Sequence, residues 1–167
     1  MAIIKPNNNT ISAITALPAA ISTGKVLQVQ STTKTDAFNT TAQSFTDVTG
    51  LSVAITPSSS SNKVLVNVNI GTHDSTAATT YAYQLVRGST VIGIGSTSTA
   101  ATMGGTIDAD RGEGQSMTFL DTPNTTSSTT YKLEVRSPNG STWYINERQG
   151  SSAYRTISTI TVTEIAG

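Results

Sequence analysis

A two-residue alternation that recurs between residues 51 and 162 constrains this chain more than any other feature. Val64, Val66, Val68 and Ile70 alternate with Leu65, Asn67 and Asn69, and Leu51, Val53 and Ile55 alternate with Ser52, Ala54 and Thr56. Successive side chains of a strand point to opposite faces, so each run reads as a strand with one buried face. The pattern returns at Tyr81, Tyr83 and Leu85, at Met117 and Phe119, at Tyr131, Leu133 and Val135, and at Ile160 and Val162. Lys132, Glu134 and Arg136 mark the wet face of one of these strands.

Nearly a third of the residues are Ser or Thr. The branched Cβ of threonine suits a half-exposed pleated surface better than a helix. Turn chemistry separates the runs: Pro57 to Asn62, Arg87-Gly88-Ser89, Asp121-Thr122-Pro123-Asn124 and Pro138-Asn139-Gly140. Asn139-Gly140 between two strand-like runs predicts a hairpin. Eight to ten strands at these spacings predict an all-β, antiparallel β-sandwich of jelly-roll-like form. Residues 74–80 and 96–114, polar and in the second case Gly-rich, read as long apical loops. Gly93-Ile94-Gly95 predicts a bulge or a close backbone approach.

The 167 residues suffice for one core, and the leader of residues 1–23 stands apart from a domain of residues 24–167. Ile3, Ile4, Ile11, Ile14, Leu17 and Ile21 share that leader with a single charged side chain, Lys5. Such a segment has apolar groups to bury and no core of its own, so these six residues are the candidates for attachment to another protein. Pro18 disfavours a regular helix. Extended, the leader would reach on the order of 80 Å. Pro6 and three asparagines interrupt its apolar residues, which excludes a secretory signal, and no apolar run approaches the roughly 20 residues of a membrane span.

Charged residues make up 12% of the chain and the formal net charge is zero, which speaks against nucleic acid or an anionic membrane as partner. With no cysteine, disulfides, thiolate catalysis and Cys-ligated zinc are excluded. The single histidine, His73, precedes Asp74, but a catalytic triad also needs a nucleophile brought to them in space. Asp108, Asp110 and Glu113 surround Arg111 and Gly112. Three carboxylates fall short of the six to eight oxygens calcium takes, so a solvated loop is expected there. The expectation is a protein with no catalytic activity, cofactor or metal. Trp143, Tyr144, Arg148 and Tyr154 are the better binding candidates, for a receptor or a second subunit. On a strand Trp143 and Tyr144 face opposite ways, so one of the two belongs to the core.

Several segments carry a resemblance: Gly24-Lys25-Val26-Leu27-Gln28-Val29-Gln30, then Phe45-Thr46-Asp47-Val48-Thr49-Gly50-Leu51, then Gln84-Leu85-Val86-Arg87-Gly88-Ser89. Phe119-Leu120-Asp121-Thr122-Pro123, Thr130-Tyr131-Lys132-Leu133 and the ending from Arg155 to Ile165 extend it. Together they resemble structural proteins of tailed bacteriophages, especially fibre-like proteins of phages that infect cyanobacteria and other aquatic bacteria. The resemblance implies a homotrimeric β-sandwich carried on the virion and made in the bacterial host cytoplasm. It implies a tail fibre or fibre tip that joins another virion protein through residues 1–23 and adheres to a host-surface glycan or protein. The alternative is a capsid decoration or cement protein, or head fibre, whose leader binds the shell.

Overall fold

The computed structural model of the chain describes residues 25–96, 101–109, 111–149 and 151–167. The six aliphatic residues of the leader therefore lie outside the described residues. Thirteen strands and no helix occur among the described residues. In chain order they are β1 (Val26–Lys34), β2 (Phe38–Thr40), β3 (Thr46–Ile55), β4 (Lys63–Ser75), β5 (Thr79–Arg87), β6 (Thr90–Ile92) and β7 (Met103–Ile107). There follow β8 (Glu113–Asp121), β9 (Thr129–Arg136), β10 (Trp143–Ile145), β11 (Glu147–Arg148), β12 (Ser151–Arg155) and β13 (Ser158–Ile165).

The pairing is nested. β1 pairs with β13, β3 with β9, β4 with β8, and β5 with β6 and β7 in turn, all antiparallel. If β6 and β7 count as one interrupted strand, eight principal strands pair first with eighth, second with seventh, third with sixth and fourth with fifth. Wrapping that long hairpin gives one sheet in the order β1-β13-β4-β8 and a second in the order β3-β9-β5-β6/β7. This is the jelly roll, two sheets wound from Greek keys. The short strands β2 and β10 extend the first sheet along the far half of β4, where Trp143 lies opposite Ser75 and Ile145 opposite His73.

The core lies between the sheets and follows the alternation. Val64, Val66, Val68 and Ile70 of β4 are buried against Leu51, Val53 and Ile55 of β3, Leu133 and Val135 of β9, and Ile160 and Val162 of β13. Truncating one such side chain to alanine costs about 2–5 kcal/mol. The outer faces differ. That of the second sheet carries Asp47, Lys132, Glu134 and Arg136, with Lys132 bridging Asp47 and, at 3.2 Å, Glu134. That of the first sheet carries rows of uncharged side chains in register, such as Ser31, Thr161, Asn67 and Thr118 across four strands.

Three local expectations are corrected. Residues 74–80 are not a long loop: β4 runs to Ser75 and β5 starts at Thr79. Polar His73, Asp74 and Ser75 are all buried there because β10 packs alongside and pairs with them. Residues 96–114 contain β7, whose Gly104 and Gly105 read as loop. A Cβ at Gly104 would stand 2.9 Å from the Tyr81 carbonyl oxygen and one at Gly105 3.0 Å from the Tyr81 hydroxyl, so the pair is small to admit Tyr81. Asn139-Gly140 does form a turn, with Gly140 at φ 76° and its N–H donating to Ser137 at 2.9 Å. It closes no hairpin, since β9 belongs to the second sheet and β10 to the first. Asn139 instead ties the turn to Thr79, and Trp143 and Ile145 cross over to enter the core. At Gly93, φ is 62° and a Cβ would meet the Phe119 ring at 2.9 Å, the expected close approach.

Candidate functional site

Strand direction sorts the molecule into two ends. Val26, Ile165, Lys63 and Asp121 lie at one, and Lys34, Ser158, Ser75 and Glu113 at the other. The chain enters the sandwich at the first end, through Lys25, whose carbonyl accepts the Ala166 N–H at 2.9 Å. Beside it Glu164 is buried, and its carboxylate accepts hydrogen bonds from the Ser58 N–H (2.6 Å), the Ser58 hydroxyl (2.8 Å), Asn62 Nδ2 (2.6 Å) and Gln28 Nε2 (2.6 Å). Burial pushes this carboxyl up, but donors from Asn62, Gln28 and Ser58 outweigh it and hold it at about 2. Gln28 also donates to the Thr56 carbonyl at 2.6 Å. The start of β1 is thus fixed to β13 and to residues 56–62.

The opposite end carries the candidate contact residues. Tyr154 on β12 is 64% exposed, with exposed Arg148 across the same hairpin. Arg155 is anchored to the buried Glu147 at 3.1 Å. Asn146, at φ 63°, holds the hairpin's base by donating to the Lys34 carbonyl (2.9 Å) and Asp36 carbonyl (3.2 Å) and accepting from Ser158 Oγ (2.6 Å). Sequence reasoning passed over Asn146. Its signal is a lone amide between strand-like Trp143-Tyr144-Ile145 and the charged Glu147. At this same end a groove of about 490 Å³ runs between Thr79, Thr106, Ile107, Asp108, Pro138 and Asn139.

Trp143 requires correction as a receptor contact. It is fully buried, and its indole lies 4.7 Å from the Tyr81 ring and 4.8 Å from the His73 ring. Its partner on the strand, Tyr144, is half-buried on the outer face opposite Asn39 and Asp74. Of the two, Trp143 is therefore the core residue. The Trp143 Nε1–H donates to the Tyr83 hydroxyl at 2.9 Å, leaving the Tyr83 O–H to face His73 Nδ1 at 3.3 Å. This order of donors assigns the imidazole proton to Nε2, which has no hydrogen-bond partner. Burial holds His73 down at about 4, so the ring is neutral at pH 7.

His73 and Asp74 project from opposite faces of β4, so they do not form a catalytic pair. Asp74 Oδ1 accepts the Ser75 N–H at 2.7 Å. Asp108 pairs with Arg111 at 3.7 Å on the exposed surface, Glu113 lies in β8 opposite His73, and Asp110 falls outside the described residues. Among the described residues no group of three His, Cys, Asp or Glu side chains is placed to hold a metal, and no helix is long and apolar enough to cross a membrane.

The strand order and the two differentiated ends define an all-β jelly-roll domain. No family model matches the chain, and no curated protein matches it. Among solved structures it is similar to a chain of "Structure of infectious bursal disease virus Gx strain", at 11% identity and a TM-score of 0.38. The match covers 84% of this chain and 40% of that one, so this chain spans less than half of its neighbour's length. The jelly-roll assignment rests on the nested strand pairing and not on this likeness.

Proposed function

We propose that the chain is a virion structural protein, a trimeric fibre or fibre-tip module that attaches through residues 1–23 and adheres to the host surface. The observation that carries this reading is the separation of the two ends. The described chain begins where Lys25 is bonded to Ala166 and Gln28 to Glu164, and Tyr154, Arg148 and the Thr79–Asn139 groove are displayed at the opposite end. A protein held at one end and touching its target at the other needs this polarity. A jelly roll also supplies a stiff body between them, because its ladders are closed between distant parts of the chain. The partner at the displayed end is a host-surface glycan or protein, matched by an exposed phenol, a guanidinium and Thr and Asn groups.

Gold labelling of intact particles with an antibody to residues 25–167 tests the location. Label at the tail extremity is the expected result. Label over the head would overturn the fibre reading and select the decoration protein.

A further inference from the structure

The outer face of the first sheet carries chemistry that a solvated face lacks. Across β1, β13, β4 and β8 three successive rows are in register, and none of their positions is charged. The row nearest Lys25 is Val29, Thr163, Leu65 and Leu120, with Val29 54% and Leu120 47% exposed. Val26, 62% exposed, lies beside it opposite Ile165, and exposed Lys63 on the other side of Ile165 is the charge that borders the three rows. The other two rows contain only Ser, Thr and Asn, which bond to one another: Ser31 Oγ with Thr161 Oγ1 at 2.8 Å, and Thr118 Oγ1 to Asn67 Oδ1 at 2.8 Å.

A sheet face exposed to water is ordinarily kept soluble by charge, as the opposite face is by Asp47, Lys132, Glu134 and Arg136. Depletion of charge marks the centre of a protein interface, and the row of Val29, Leu65 and Leu120 supplies the apolar area such a centre holds. We infer that this face is where a second copy of the chain docks. The charge pattern selects that occupant. A partner with a charged surface would have its charges desolvated here without compensation. Ser, Thr and Asn each donate and accept, so the lattice is complementary to itself, as association between copies requires. Among the described residues β1 pairs with β13 alone, and from Val26 to Thr33 it has no proline and no charge, the features that usually blunt an edge strand.

The inference names the surface for the self-association in the reading above, and its test involves neither host nor particle, so the two can fail separately. Sedimentation of the full chain is compared with that of Ser31→Lys/Thr118→Lys on this face and Ser52→Lys/Ala54→Lys on the other, all four positions being exposed. The expected result is an oligomer for the native chain and the control, and at least tenfold weaker association for Ser31→Lys/Thr118→Lys. A monomeric native chain, or a folded Ser31→Lys/Thr118→Lys variant that associates as tightly as the control, overturns the inference. As a second measurement, the chain has no cysteine, so Thr118→Cys and Ala54→Cys can be compared by maleimide labelling. Labelling at Thr118→Cys should be at least tenfold slower in the oligomer and recover on dilution to monomer. Slow labelling in a monomer would mean that residues 1–24 cover the face and would overturn the second-copy assignment; equal rates at the two positions would overturn it as well.

Discussion

The indole of Trp143 donates to the hydroxyl of Tyr83 at 2.9 Å across the interior, joining β10 of one sheet to β5 of the other. Sixty positions separate them in the chain. The bond closes a chain of donors that ends at His73, and it makes the polar atoms of the far end dependent on one phenol.

Tyr83→Phe should therefore cost more than the loss of one hydrogen bond. It strips the partner from both the buried Trp143 N–H and His73 Nδ1, and each unsatisfied buried group costs about 1–3 kcal/mol. Urea unfolding of Tyr83→Phe should show a loss of about 2–4 kcal/mol at an unchanged m-value. A cost below about 0.5 kcal/mol would show that the chain of donors does not contribute.

Acid should destabilise the sandwich in two windows. His73 is held at about 4 by burial, against an ordinary value of 6.5, so the unfolded chain binds its proton first. Its contribution to stability is complete above pH 6.5 and falls as the pH drops to about 4, by at most about 3 kcal/mol. Glu164, held at about 2 against 4.5, contributes fully above pH 4.5 and loses that contribution toward pH 2. Melting curves from pH 8 to 2 should show both declines, and His73→Gln should flatten the upper one alone. A His73→Gln profile parallel to the native one above pH 4 would refute the assignment.

Gly71→Ala should be among the costliest small substitutions. A Cβ there would lie 2.2 Å from the Ile157 carbonyl oxygen and 2.9 Å from Thr156 Cβ, with backbone on one side unable to give way. Overpacking of this kind costs about 1–3 kcal/mol or more. Gly95→Ala, with nothing among the described residues within 4 Å of the added carbon, serves as its control. Calorimetry should lower the melting temperature of the first variant by several degrees and leave the second within about a degree.

Tyr154→Ala removes a side chain that is 64% exposed, so stability should change by no more than about 0.5 kcal/mol. If the displayed end makes the host contact, adhesion of purified protein to host cells should fall at least tenfold. Unchanged adhesion would move the contact away from the β11–β12 hairpin.

The sequence by itself determined the fold class and the orientation of the principal strands. The period of two at Val64–Ile70 or Tyr131–Val135 is a local property, because one-sided burial leaves a mark at every second residue. It also identified Tyr154 and Arg148 as contact candidates, since an aromatic beside Gly and Ser needs no tertiary knowledge to stand out. What only the tertiary structure decided is which strand lies beside which, and hence the fate of groups whose partners are far away. Asp74 and Ser75 read as loop because each is polar, yet β10 buries them, together with His73, from about 70 positions further on. Asn139-Gly140 read as a hairpin because a turn specifies its own geometry but not the sheet that its next strand joins. Trp143 was one of two alternating aromatics, and the sequence could not say which faces inward until Tyr83 and His73 were placed against it. The charge-free rows of the outer face appeared only once Ser31, Thr161, Asn67 and Thr118 came into register. Hydrogen-bond satisfaction and strand pairing depend on spatial neighbours, and in a jelly roll nearly every such neighbour is distant in sequence.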